Sequence, residues 1–100
     1  MGNYSLNIKD AKAIIDNEID DKTFDSHKFI QKFSQNFELE YIDLLNQHNS
    51  QPGEIFNIVH EQIARFLNNN QDKLKITLLP DKVKSLNIFG EETPNANWEK

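Results

Sequence analysis

The 100-residue chain contains no cysteine, and only three glycines, three prolines, one methionine and one tryptophan. Without cysteine there is no disulfide framework, no thiolate nucleophile and no sulfur-ligated zinc or iron–sulfur centre. A reducing interior is compatible with that absence. The three glycines are scattered, so no glycine-rich phosphate loop is spelled, and no Gly-x-Ser-x-Gly elbow occurs. No run approaches the roughly 18–20 consecutive apolar residues of a membrane span. The opening MGNYSLNIKD has neither a basic start nor an apolar run, so no secretory signal is expected. Gly2 invites N-myristoylation, but that motif wants Ser or Thr at position 6, where Leu6 stands. Asn3-Tyr4-Ser5 is a formal glycosylation sequon, read as chance when no signal precedes it. These exclusions describe a cytoplasmic protein with no membrane partner.

Positive charge is short as well. Eleven Lys and Arg stand against sixteen Asp and Glu, a formal charge of −5. Residues 1–50 hold five lysines and nine acids, whereas residues 51–100 hold six basic and seven acidic side chains, so the acid concentrates in the N-terminal half. Such a chain repels a phosphate backbone at long range, which ranks nucleic acid behind protein as a partner.

What is present suffices for one domain spanning residues 1–100. Apolar residues make up 37%, and ten aromatics, seven of them Phe, supply bulk for one core. No internal repeat or low-complexity run interrupts it. Helical spacing recurs three times. Over about 7–19, Asn7 can cap a helix whose stripe is Ile8, Ala11, Ile15 and Ile19. After the acidic loop DDKTFD, residues 26–48 read as one long helix with Phe29, Ile30, Phe33, Phe37, Tyr41, Leu44 and Leu45 on one face. Asp25 or Ser26 would cap it, and neither Gly nor Pro interrupts it. At 1.5 Å per residue it would be about 34 Å long.

The stretch HNSQPG then punctuates the chain, and a third helix over about 52–69 carries Ile55, Phe56, Val59, Ile63, Phe66 and Leu67. Beyond the asparagines at 68–70 the pattern weakens. Leu74, Ile76 and Leu78 alternate with polar residues as in a half-buried strand, and Leu79-Pro80-Asp81-Lys82 suits a turn. The expected class is all-α, three amphipathic helices bundled with a C-terminal extension. The alternative is α+β, with a small hairpin at about 74–89. Residues 90–100 read as an irregular tail, from which Trp98 folds back onto the domain.

Candidate chemistry is sparse. His60-Glu61-Gln62-Ile63-Ala64 spells most of a zinc-protease helix, but two histidines four residues apart are needed on one face, and the second position is Ala64. Glu61 points away from the apolar stripe, four residues before Arg65, in the favourable order for a surface pair. The run DNEIDDKTFD offers Asp16, Glu18 and Asp20 at calcium-loop spacing, yet Asp21 replaces the sharp-turn glycine and His27 the closing glutamate. His27, His48 and His60 form no cluster in sequence. His48 falls near the C-terminus of the second helix, where a positive charge suits the helix dipole. No metal, cofactor or catalytic residue is assigned, and no enzyme is expected.

Two functional hints remain. Leu39 and Ile42 lie off the main stripe of the long helix, among Glu38, Glu40 and Asp43, as an apolar spot rimmed by acid would. Either a partner covers that spot, or the N-terminal helix or the Trp98 tail does. The second hint is order. Helix, helix, turn, helix, then a hairpin bearing Lys73, Lys75, Lys82 and Lys84 resembles the layout of a winged-helix DNA-binding domain, with Arg65 on the reading helix. The outward residues Glu54, Asn57 and Glu61 of that helix are poorly suited to DNA. The function read first is therefore a small acidic binding partner, inhibitor or regulatory subunit. It would engage a basic protein, or a second copy of itself, through the long helix.

Overall fold

The computed structural model describes residues 3–100. The Gly2 acylation reading therefore lies outside the described residues. Helix α1 (Ile8–Asn17) begins where its cap dictates: the Asn7 side chain accepts from the Asp10 backbone N–H at 2.9 Å. The Tyr4 hydroxyl donates to the Asp10 carboxylate at 2.8 Å, fixing the chain that leads in. Ala11, Ile14 and Ile15 of α1 face the core, joined by Ile19 just beyond its end.

DDKTFD is not merely a loop. Thr23–Asp25 forms strand β1, with Phe24 buried between exposed Thr23 and half-buried Asp25. Asp25 then caps α2 (Ser26–Asn36), accepting from the Lys28 N–H at 2.8 Å.

The long helix expected over 26–48 is two helices. Phe37 adopts φ −129°, ψ 57°, outside helical space, and α3 (Glu38–Asn46) starts after it. No glycine or proline causes the break. Ser34 Oγ donates to the Gln31 carbonyl and Asn36 Nδ2 to the Lys32 carbonyl, both at 2.8 Å, so short polar side chains take backbone acceptors at the end of α2. Packing favours the same place. A stripe stepping by four residues drifts about 40° per step, so a straight helix would carry Tyr41 about 120° away from Phe29. The break brings both back to one core: Phe33 stacks between Phe29 and Phe37 (6.4 and 5.7 Å) and meets the edge of Tyr41 at 6.3 Å.

Helix α4 (Ile55–Asn69) starts three residues later than expected, because Gly53 takes φ +92° and Pro52–Gly53 stays in the turn. Val59, Ile63 and Leu67 are its buried stripe. A short α5 (Gln71–Leu74) follows and ends at Lys75, whose φ of 58° is left-handed. Leu74 therefore ends a helix, and β2 is reduced to Thr77–Leu78.

The fold is α+β, the class held as the alternative, and this overturns the expected all-α bundle: among the described residues, five helices accompany five strands in two antiparallel sheets. The anticipated hairpin over 74–89 is also redistributed. Strand β3 (Val83–Leu86) pairs not with β2 but with β4 (Glu92–Asn95), in the register Val83↔Asn95 to Leu86↔Glu92. Asn87 Oδ1 closes that hairpin by accepting from the Phe89 and Glu91 N–H groups, and Gly90 supplies φ +80°. Strand β2 pairs instead with β5 (Asn97–Glu99), which also pairs β1, giving the order β1-β5-β2.

The expected irregular tail is thus the centre of a sheet. Trp98 is fully buried opposite Phe24 and Leu78, and its indole N–H donates to Ser26 Oγ at 3.1 Å. Lys100 follows, its ammonium donating to the Ile15 carbonyl at 3.1 Å and to that of Ile19, at the C-terminal end of α1. Among the described residues, no helix is long and apolar enough to cross a membrane.

Candidate functional site

Breaking the helix at Phe37 gives α3 its own inside and outside. Tyr41, Asp43 and Leu44 face inward. Leu39 and Ile42, three residues apart on the other side, are 78% and 48% exposed. Neither α1 nor Trp98 covers them, since Trp98 lies in the three-stranded sheet. Glu38 and Glu40 lie beside them, exposed and half-buried respectively. Asp43 does not join that rim. It is 8% exposed, accepts from the Tyr4 backbone N–H, and lies 3.5 Å from Gln47 Nε2. Burial raises the Tyr4 hydroxyl well above its ordinary range, helped by its bond to Asp10, the Asp10 charge and the Glu40 charge.

The basic residues are dispersed. Arg65 borders a recess with Tyr4, Gln47 and Gln62, Lys73 sits on α5, and Lys75 follows that helix. Lys82 precedes β3, and Lys84 projects from it opposite Pro94. Arg65 does not pair with Glu61: among the described residues, the ion pairs are Lys12–Asp16 at 3.0 Å and Lys22–Glu99 at 3.8 Å. Asp16, the first position of the calcium-loop spacing rejected above, is engaged by a lysine. Among the described residues no group of three or more His or carboxylate side chains is disposed to hold a metal ion.

A cleft that the sequence did not announce lies between the start of α2, one face of α4 and the β3–β4 hairpin. Its volume is about 570 Å³, and His27, His60, Glu54, Glu61 and Glu91 all border it. Residues 27, 60 and 91 lie more than thirty positions apart, so no spacing could have joined them. His48 stays apart, in the turn after α3.

The two histidines differ. His27 is clamped by the hairpin, with Nδ1 2.8 Å from Ser85 Oγ and Nε2 3.2 Å from Thr93 Oγ1. Its backbone N–H donates to Asn95 Oδ1 at 2.8 Å. The Ser85–His27 contact has the distance of an activated nucleophile. Both ring nitrogens are taken by hydroxyls, however, and no carboxylate orients the ring. At the start of α2 the Ser26, His27 and Lys28 N–H groups are bound by the Ala96 carbonyl, Asn95 and Asp25 respectively. The cluster pins a hairpin to a helix.

His60 Nε2 lies 2.7 Å from the Tyr41 hydroxyl, and its ring stacks between Tyr41 and Phe89 at 6.0 and 6.1 Å. Burial, and then the His27 charge, lower its pKa below the ordinary 6.5. Burial also pushes the Tyr41 hydroxyl up to about 12, so both groups are neutral at pH 7. Comparison with family models, with curated proteins and with solved structures finds no match for this chain.

Proposed function

We propose that this chain is a non-catalytic protein-binding module, cytoplasmic, that docks a partner through the outward face of α3. One observation carries the reading: Leu39, a large apolar side chain on a well-formed helix, is 78% exposed beside a half-exposed Ile42. Full burial of an exposed aliphatic side chain contributes roughly 1.5–3 kcal/mol; Leu39 can gain most of that and the half-covered Ile42 about half, a central contact around which a polar rim can form. Glu38 and Glu40 supply that rim, and their sign favours a basic partner surface, which speeds encounter and fixes register.

Leu39→Asp should shift the melting temperature by no more than a surface substitution does, within about 0.5 kcal/mol, and abolish co-purification of the partner after nuclease treatment. A loss of several kcal/mol would place Leu39 inside its own chain and remove the reading.

A second reading draws on the order β1-β5-β2, with a lysine-bearing hairpin inserted between β2 and β5. Helix, strand, helices, strand, wing and strand is the winged-helix layout, and it would use Arg65, Lys73, Lys75, Lys82 and Lys84 against DNA. The carboxylates of Glu54, Glu61 and Glu91 on the reading side weigh against it. Duplex binding at low salt, weakened by Lys82→Ala with Lys84→Ala, would restore it; no binding would end it.

A further inference from the structure

We propose that the cleft between α4 and the β3–β4 hairpin is a second docking surface, and that its occupant is an arginine-bearing basic segment of a partner polypeptide. An apolar ledge lies beside the cleft without lining it. Phe56 on α4 and Phe89 in the hairpin loop are 42% and 52% exposed, and their rings meet edge to face at 5.0 Å. Both rings also contact His60, which borders the cleft and is tied to Tyr41 in the core. The three rings fill one another's spaces, so they make a ledge rather than a cage. The ledge is held in place by buried groups while its outer surface stays bare.

Charge identifies the occupant. Glu54, Glu61 and Glu91 border the same cleft, while neither Lys nor Arg does. Among the described residues none of the three carboxylates lies within an ion pair; the Glu91 carboxylate accepts from the Asn87 side chain at 3.3 Å. Three uncompensated carboxylates beside neutral aromatic rings match a guanidinium on both counts. Its fork binds carboxylate in plane, and its flat face stacks on an aromatic ring. An ammonium could do only the first well. The same charges repel phosphate, so the side of the molecule that a winged-helix protein would turn to DNA is here suited to a basic peptide. This surface is separate from the α3 face, and the two readings stand or fall independently.

The test is fluorescence anisotropy with fluorescein-labelled nona-arginine, in about 150 mM salt to suppress long-range attraction. Nona-glutamate and a labelled DNA duplex are the controls. Binding of nona-arginine alone is expected. Glu54→Lys with Glu61→Lys and Glu91→Lys should weaken it at least about tenfold. Glu18→Lys with Glu38→Lys and Glu40→Lys changes net charge equally and should weaken it less than about threefold. Phe89→Ser, with its folded state checked by thermal melting in the same series, should weaken it about fivefold through lost stacking. Leu39→Asp should leave it unchanged.

Equal losses in the two triple variants would mean nonspecific attraction and overturn the proposal. So would failure of nona-arginine to bind, or duplex binding that Phe89→Ser diminishes. Because Leu39→Asp is read in the same series, failure here is distinct from failure of the α3 reading.

Discussion

Two side chains set different kinds of expectation. Trp98 is fully buried, and its N–H has a partner in Ser26. Trp98→Ala should cost about 3–5 kcal/mol, and Ser26→Ala about 1–3 kcal/mol for the orphaned indole donor, both read by urea denaturation. His60 gives a pH dependence. Its folded-state pKa is depressed, so the unfolded chain binds more protons at this group below about pH 6.5. Its contribution to stability is therefore full above about 6.5 and is lost as pH falls toward the lowered value. NMR titration of the ring should give a midpoint below 6.5, and His60→Gln should reduce the loss of melting temperature on acidification through that window. A midpoint above 6.5 would show that the ring is not desolvated as described. Asp43 carries a different lesson. Its place beside Ile42 in sequence suggests the rim, yet it faces the other way and binds Tyr4.

The elements legible in sequence are those whose signals are local. Asn7 and Asp25 cap α1 and α2 where the cap chemistry said they could, and the stripes Ala11–Ile15 and Val59–Ile63–Leu67 are buried as the period required. The break at Phe37 was hidden because Ser34 and Asn36 make it, and neither reads as a helix breaker. The strands were hidden for another reason. Each is two to four residues long and pairs with chain far away, as Thr23 does with Glu99. Alternation over so few residues cannot be told from loop. The hairpin can be tested at this scale. Asn87→Ala removes the acceptor for two N–H groups, and Gly90→Ala forces a side chain into φ +80°. Each should destabilise by about 1–2 kcal/mol and increase the exposure of Phe89. No change in either variant would mean that the turn is not held as described.

At the scale of the whole molecule, the C-terminal four residues close the fold. Strand β5 joins β1 to β2, so elements from both ends of the sequence share one sheet. A chain truncated after Ala96 should lose its cooperative thermal transition; retention of one would return residues 97–100 to the status of a tail. The candidate surfaces also belong to this scale. The exposed α3 face was legible in part, because Leu39 and Ile42 already stood off the stripe, whereas the acid-lined cleft arises only when α2, α4 and the hairpin are brought together.

The most direct measurement is photo-crosslinking in cells of the source organism, with Leu39 replaced by benzoylphenylalanine and Lys12 replaced in parallel as a control. The docking account expects one discrete heavier adduct at position 39, resistant to nuclease and absent at position 12. No adduct at 39, the same adduct from both positions, or one that nuclease removes would contradict it.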